Sequence, residues 1–140
     1  MYALILETEI AAPPEKCFAL LRDPRLHNDK PARHEGEFGL GQIVSFPSRF
    51  VGIDTTLTVE VTRFEPPHLM VDEIREGIFR EFQHRHEFRS IEAGTLMIDQ
   101  VAWMLPFGPI GRVFNGIVEA RLRSVIGTRN ARLKGLAETD

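Results

Sequence analysis

The spacing of apolar residues along this chain changes once, near Pro106. Upstream, apolar and polar positions mostly alternate, the period of an extended strand; downstream, apolar residues recur at steps of three and four, the period of a helix. The first segment, residues 2–10, sets Tyr2, Leu4, Leu6 and Ile10 against Glu7 and Glu9, which makes a half-buried strand. Pro13 and Pro14 end it. Proline's missing N–H would lack a partner in a first helical turn anyway, so the pair suits the start of a short helix. That helix, about 14–22, turns Cys17, Phe18, Leu20 and Leu21 toward the core. Residues 24–41, charged and broken by Pro31, Gly36, Gly39 and Gly41, predict a helical turn and one short strand.

From Gln42 the alternation returns. GQIVSFPSRF (41–50) is a strand whose Pro47 belongs at an edge or a bulge. In GIDTTLTVEVTRF (52–64), Ile53, Thr55, Leu57, Val59 and Val61 share one face, and Pro66-Pro67 closes the run. HLMVDEI (68–74) is the next strand, Arg75-Glu76-Gly77 a turn, IFREFQHRHEFRSI (78–91) a long strand, and TLMIDQVAWML (95–105) the last. Short turns between consecutive strands imply an antiparallel meander. Beyond Pro109, the residues Ile110, Val113, Phe114, Ile117, Val118, Leu122, Val125, Ile126, Leu133 and Leu136 mark one long amphipathic helix of roughly seven turns. A helix that long needs a large surface to cover, and the sheet is the only one on offer. The fold class is therefore α+β, a curved antiparallel sheet around a long C-terminal helix with short helices near the N-terminus. It forms a single domain over residues 1–140.

The stretch EFQHRHEF carries the densest candidate chemistry. A hairpin turn centred on Glu92 and Ala93 sets Phe88 opposite Met97, His86 opposite Asp99 and His84 opposite Val101. Phe82, His84, His86, Phe88, Met97, Asp99, Val101 and Trp103 then share a face, while Glu81, Gln83, Arg85, Glu87 and Arg89 share the other, which only water tolerates. The aromatic face, with both histidines, looks inward. Asp72 lies in the preceding strand, where its face is not fixed and a place in solvent at the strand end is favoured.

The 43% apolar and 26% charged composition is that of an ordinary globular domain, and no stretch approaches the length of a membrane span. MYALILETEI lacks a basic leader and reads as a strand, not a signal peptide. Cys17 is the only cysteine, so no internal disulfide forms, and a cytoplasmic setting is expected. A net charge of -3 gives no support to nucleic-acid binding. Arg112, Arg121, Arg123, Arg129, Arg132 and Lys134 read as the solvated outer face of the last helix, with Glu119 and Arg123 spaced to pair. Membrane contact is at most transient docking on anionic lipid.

The order of elements, together with AAPPEKCFALLRDP, VDEIREGIFREFQHRHEF and TLMIDQVAWMLPFGPIGRV, resembles the helix-grip fold of the START and birch-pollen-allergen superfamily, SRPBCC. Within it the chain is similar to the uncharacterised bacterial polyketide cyclase/dehydrase-like branch. The resemblance implies an apolar cavity between sheet and helix that holds a hydrophobic or amphipathic small molecule; no cofactor is expected. Its expected walls are Phe82, Phe88, Met97, Val101 and Trp103 with Phe114, Ile117 and Val118 of the helix; its expected polar anchors are His84, His86 and Asp99. Four roles stay open for those polar groups. They are hydrogen-bonded parts of the wall, anchors for a ligand's polar group, an acid/base pair in which Asp99 orients His86 or His84, or metal ligands. No metal is expected, because His27, His34 and His68 lie in loops with no path to the site.

Overall fold

The computed structural model describes residues 1–21, 23, 26, 33–35, 39–50 and 52–139. Strand β1 (Tyr2–Ile10) leads into helix α1 (Pro14–Leu20), which Pro14 opens at its first position. Strands β2 (Arg33–Glu35), β3 (Ile43–Phe50), β4 (Ile53–Glu65), β5 (Leu69–Glu76), β6 (Glu81–Ile91) and β7 (Gly94–Met104) follow. They form one antiparallel sheet in the order β1-β7-β6-β5-β4-β3-β2, so the last strand returns to pair with the first. The chain ends in a one-turn helix α2 (Pro109–Arg112) and the long helix α3 (Asn115–Glu138). The short strand expected within 24–41 is β2; the expected helical turn lies largely outside the described residues.

The β6–β7 register is the one the turn residues predict, with Phe88 opposite Met97, His86 opposite Asp99 and His84 opposite Val101. The β5–β6 connection differs. Residues 77–80 form the turn, so Ile78 and Arg80 are not strand residues, and Asp72 stands opposite His84. Gly94 sits at φ 140° where β7 leaves its turn, and a Cβ there would press on the backbone of Ile10 and Ala12. Only glycine lets β1 and the hairpin close up at this point.

Two apolar clusters lie between sheet and helix. One joins Cys17, Phe18, Val61, Met70, Phe88, Met97, Leu133 and Ala137; the other joins Val59, Phe79, Phe82, Val101, Trp103, Val118, Leu122 and Ile126. The buried stripe of α3 is thus Val118, Leu122, Ile126, Asn130, Leu133 and Ala137. The expected helix face needs correction here. Phe114 is 37% and Ile117 51% exposed, and Ile110, Val113 and Val125 also face outward. A helical break at Val113 and Phe114 starts α3 afresh, and the core side of the new helix runs through Val118 in steps of four. Leu133→Ala is therefore expected to cost about 2–5 kcal/mol and Ile117→Ala less than about 0.5 kcal/mol in urea unfolding. Equal costs would contradict this assignment of the helix face.

Candidate functional site

Alternation along β6 sends Phe82, His84, His86 and Phe88 inward, and β7 answers with Met97, Asp99, Val101 and Trp103, all of them buried. The polar members meet at one level of the fold. Asp99, fully buried, accepts hydrogen bonds at Oδ1 from His84 Nε2 at 2.6 Å and from Arg129 Nη2 at 2.7 Å. Its Oδ2 accepts from Asn130 Nδ2 at 2.7 Å. Arg129 is steadied by Asn130 Oδ1, which accepts from its Nε at 3.1 Å and its Nη2 at 2.8 Å. His86 donates from Nε2 to Asp72 Oδ2 at 2.9 Å, and its ring stacks on that of His84 with centroids 3.8 Å apart and planes 20° apart.

These six side chains form a polar belt across β5, β6, β7 and α3. It lies between the two apolar clusters: Phe88, Met97 and Leu133 are on one side, and Phe82, Val101 and Ile126 on the other. An ionised carboxylate can only accept, so the proton shared with Asp99 sits on His84 Nε2. His86 Nδ1 is the one fully buried side-chain nitrogen or oxygen left without a hydrogen bond among the described residues, and it stands 3.5 Å from Asp99 Oδ1.

The family model for "polyketide cyclase / dehydrase and lipid transport" matches residues 4–138. The chain belongs to that family. A protein from Thermus thermophilus, TTHA0849, shares 18% identity at a TM-score of 0.80, over 99% of this chain and 100% of its own. The Zhui aromatase/cyclase from Streptomyces sp. R1128 shares 14% at 0.81, over 98% and 93%. Ginseng major latex-like protein 151 from Panax ginseng shares 14% at 0.69, over 97% of each chain. No curated protein matches. At these identities the structural likeness speaks for the fold alone, which is the helix-grip fold of the START and birch-pollen-allergen superfamily.

The electrostatics of the belt follow from its burial. For Asp99, burial alone would raise the pKa, but the Arg129 charge and the His84 N–H outweigh it and hold the carboxyl well below its usual range. For His84, burial dominates, helped by the charges of His86 and Arg129 against the pull of Asp99, and the pKa drops to about 4. His84 is thus a neutral donor to Asp99 at ordinary pH. A nucleophilic role for Cys17 finds no support, since burial pushes its thiol up.

His84, His86 and Asp99 offer three ligand atoms within 4.8 Å of one another, enough in number for a metal ion. The ring stack works against it. An imidazole lone pair lies in its ring plane, and planes 20° apart at 3.8 Å do not meet where one ion could bond both nitrogens at about 2 Å. One ring would have to leave the stack, and Arg129 would have to leave Asp99.

Sequence reasoning found His84, His86 and Asp99 but missed their partners. Asp72 faces the belt and not solvent, and Arg129, read as an outer-face charge, turns inward to Asp99. Asn130 carried a readable signal, because it continues the four-residue stripe of Val118, Leu122 and Ile126. Of the helical residues expected beside the site, Val118 is buried whereas Phe114 and Ile117 are exposed. His68 bonds the Phe88 carbonyl oxygen through Nδ1 at 3.0 Å, His34 lies in β2, and His27 lies outside the described residues.

The depressed His84 pKa predicts a pH dependence of stability. Between about 4 and 6.5 the unfolded chain holds the His84 proton and the folded chain does not, so stability falls as pH drops through that window. The contribution, on the order of 3 kcal/mol, is fully present above the upper value and lost below the lower one. Urea midpoints measured across the window should slope in the wild type and flatten in His84→Asn; equal slopes would count against a buried neutral His84.

Proposed function

We propose that this protein binds a hydrophobic or amphipathic small molecule between the sheet and α3, with the polar belt receiving the molecule's polar group. The observation that carries the reading is a gradient of exposure along one inward row of β4. Val61, level with the belt, is 1% exposed; Val59 is buried; Leu57 and Thr55 are partly open; Ile53, at the far end, is 65% exposed. Phe46, Ile74, Ile78 and Leu105 around it are only partly buried. On this side of the belt Val101, Trp103 and Val118 are buried but the outer part of the wall is only partly covered, whereas on the other side Phe88, Met97 and Leu133 are sealed. An apolar surface of this kind, with a few placed polar groups at its base, is the usual make-up of a small-molecule site.

Strand rise puts the wall at about 15 Å from the belt to the end of β7 and about 25 Å along β4, room for an extended chain or a few fused rings. The family's description, which includes lipid transport, agrees with such an occupant. A cytoplasmic setting belongs to the same reading, supported by a single buried cysteine. Among the described residues, no helix is long and apolar enough to cross a membrane.

A second reading, a cyclase or dehydratase, draws on one observation: the 2.6 Å His84–Asp99 bond is the geometry of an oriented general base. The same burial that aligns His84 lowers its pKa to about 4, which makes it a weak base near neutral pH and favours holding over proton transfer.

Native mass spectrometry of gently purified protein should show a bound small molecule, and graded amphiphiles should displace an apolar fluorophore. Leu57→Trp, placed in the open half, should weaken the fluorophore by about tenfold or more while leaving the melting temperature nearly unchanged. His84→Asn separates the two readings: a binder loses only affinity, whereas a cyclase loses turnover with its fold intact, as circular dichroism would show. No bound molecule and no fluorophore binding would end the proposal.

A further inference from the structure

Among the described residues, most of the large apolar side chains that are exposed lie at one end, where β1 begins, β7 finishes and α2 passes into α3. Phe107 is 79% and Val113 76% exposed, with Ile110 and Ile117 beside them in the chain. Ile110, Val113, Phe114 and Ile117 follow one another at helical steps, yet none joins either apolar cluster. Phe107 is held at φ 70°, a left-handed conformation that costs a bulky residue energy and turns the ring outward. Gly111 fixes the platform below, since a Cβ there would strike the carbonyl oxygen of Pro106. A soluble surface gains nothing from this arrangement.

Charge distinguishes the possible occupants. Residues 105–123 carry Arg112, Arg121 and Arg123 against Glu119 alone, three minus one or +2, in a chain of net charge -3. Glu119 is taken by Arg123 at 2.9 Å, and neither Arg112 nor Arg121 has an acidic partner among the described residues. In a two-fold contact between copies, the same arginines would face each other across the apolar patch. An anionic lipid surface instead accepts apolar side chains into its boundary region and pairs the arginines with its headgroups. We propose that the α2 tip, Phe107, Ile110, Val113 and Ile117 flanked by Arg112 and Arg121, docks the protein on anionic membrane surfaces. Docking is reversible, since the patch is small and, among the described residues, no helix is long and apolar enough to span.

The test is sedimentation of the full chain with vesicles of phosphatidylcholine, with and without phosphatidylglycerol. Wild type should sediment with the anionic vesicles, and added salt should release it. Phe107→Ser and Val113→Ser, both at exposed positions and checked for fold by circular dichroism, should each weaken partitioning by roughly tenfold. Arg112→Glu should erase the preference for phosphatidylglycerol. No sedimentation, or sedimentation that none of these variants alters, overturns the proposal. So does a lipid-free dimer that Val113→Ser dissolves while vesicles bind nothing. Docking by a protein that holds no small molecule would leave this inference standing and sink the binding reading.

Discussion

Everything else in the molecule accommodates one buried anion. Asp99 has no access to water, so its charge has to be met by protein groups, and four separate stretches of chain contribute to the belt that meets it. A buried ion pair is a weak source of net stability, because desolvation offsets most of the attraction. Its effect is on specificity. His84 reaches Asp99 only in the observed β6–β7 register, and Arg129 and Asn130 reach it only with α3 at its observed height and rotation. A one-residue slip of either strand would turn its whole inward set, with His84 or Asp99 in it, to the outer face. A third of a turn of the helix would take Arg129 and Asn130 away and leave the buried carboxylate short of partners, a loss of roughly 3–5 kcal/mol.

The belt also divides the interior into unequal halves. On the side of α1, the long helix is clamped to the sheet by Leu133 and Ala137 and by polar ties at its end, where Glu138 accepts from the Ala11 N–H at 2.9 Å and Lys134 donates to the Glu9 carbonyl at 2.6 Å. On the other side the helix rests on Val118, Leu122 and Ile126, while the inward faces of β3 and β4 open progressively. Both halves keep a buried centre, but the partly exposed apolar surface is concentrated on the second side, which is where the proposed occupant would lie.

Most of the architecture was legible because alternation and turn residues are local signals. The register at Glu92–Ala93 fixed which of Phe82 to Trp103 face inward, and the structure agrees position by position. Asp72 was not legible, because its face depends on where the β5–β6 turn sits, and that turn uses four residues, 77–80, where Arg75-Glu76-Gly77 had suggested three. Two irregularities in the β4–β5 pairing blocked the other route to the same answer. Arg129 was hidden for a different reason. An arginine on an amphipathic helix reads as solvated unless the carboxylate opposite it is known to be buried, and that knowledge comes only from assembling sheet and helix. Phe114 and Ile117 misled because their spacing fits a helix face, while the break before Asn115 changes which face the core receives.

The order of polar and apolar surfaces has a consequence for how a molecule would sit. From the α2 tip inward, an occupant would meet Leu105, Leu57 and Ile74 before it met His84, Asp72 and Arg129. Only a molecule entering polar end first could bring its hydrogen-bonding group to the belt and leave its apolar part along the open wall. An amphiphile in a membrane already presents that end to whatever docks on the surface. Taken with the proposed docking tip, the belt's depth matches extraction of the polar end first, and the partly covered wall would accept the apolar part as it follows. In the proposed reading the His84–Asp99 pair would be a fixed part of the belt, its one imidazole N–H already given to Asp99 and its protonation unchanged near neutral pH, which suits reversible holding better than chemistry.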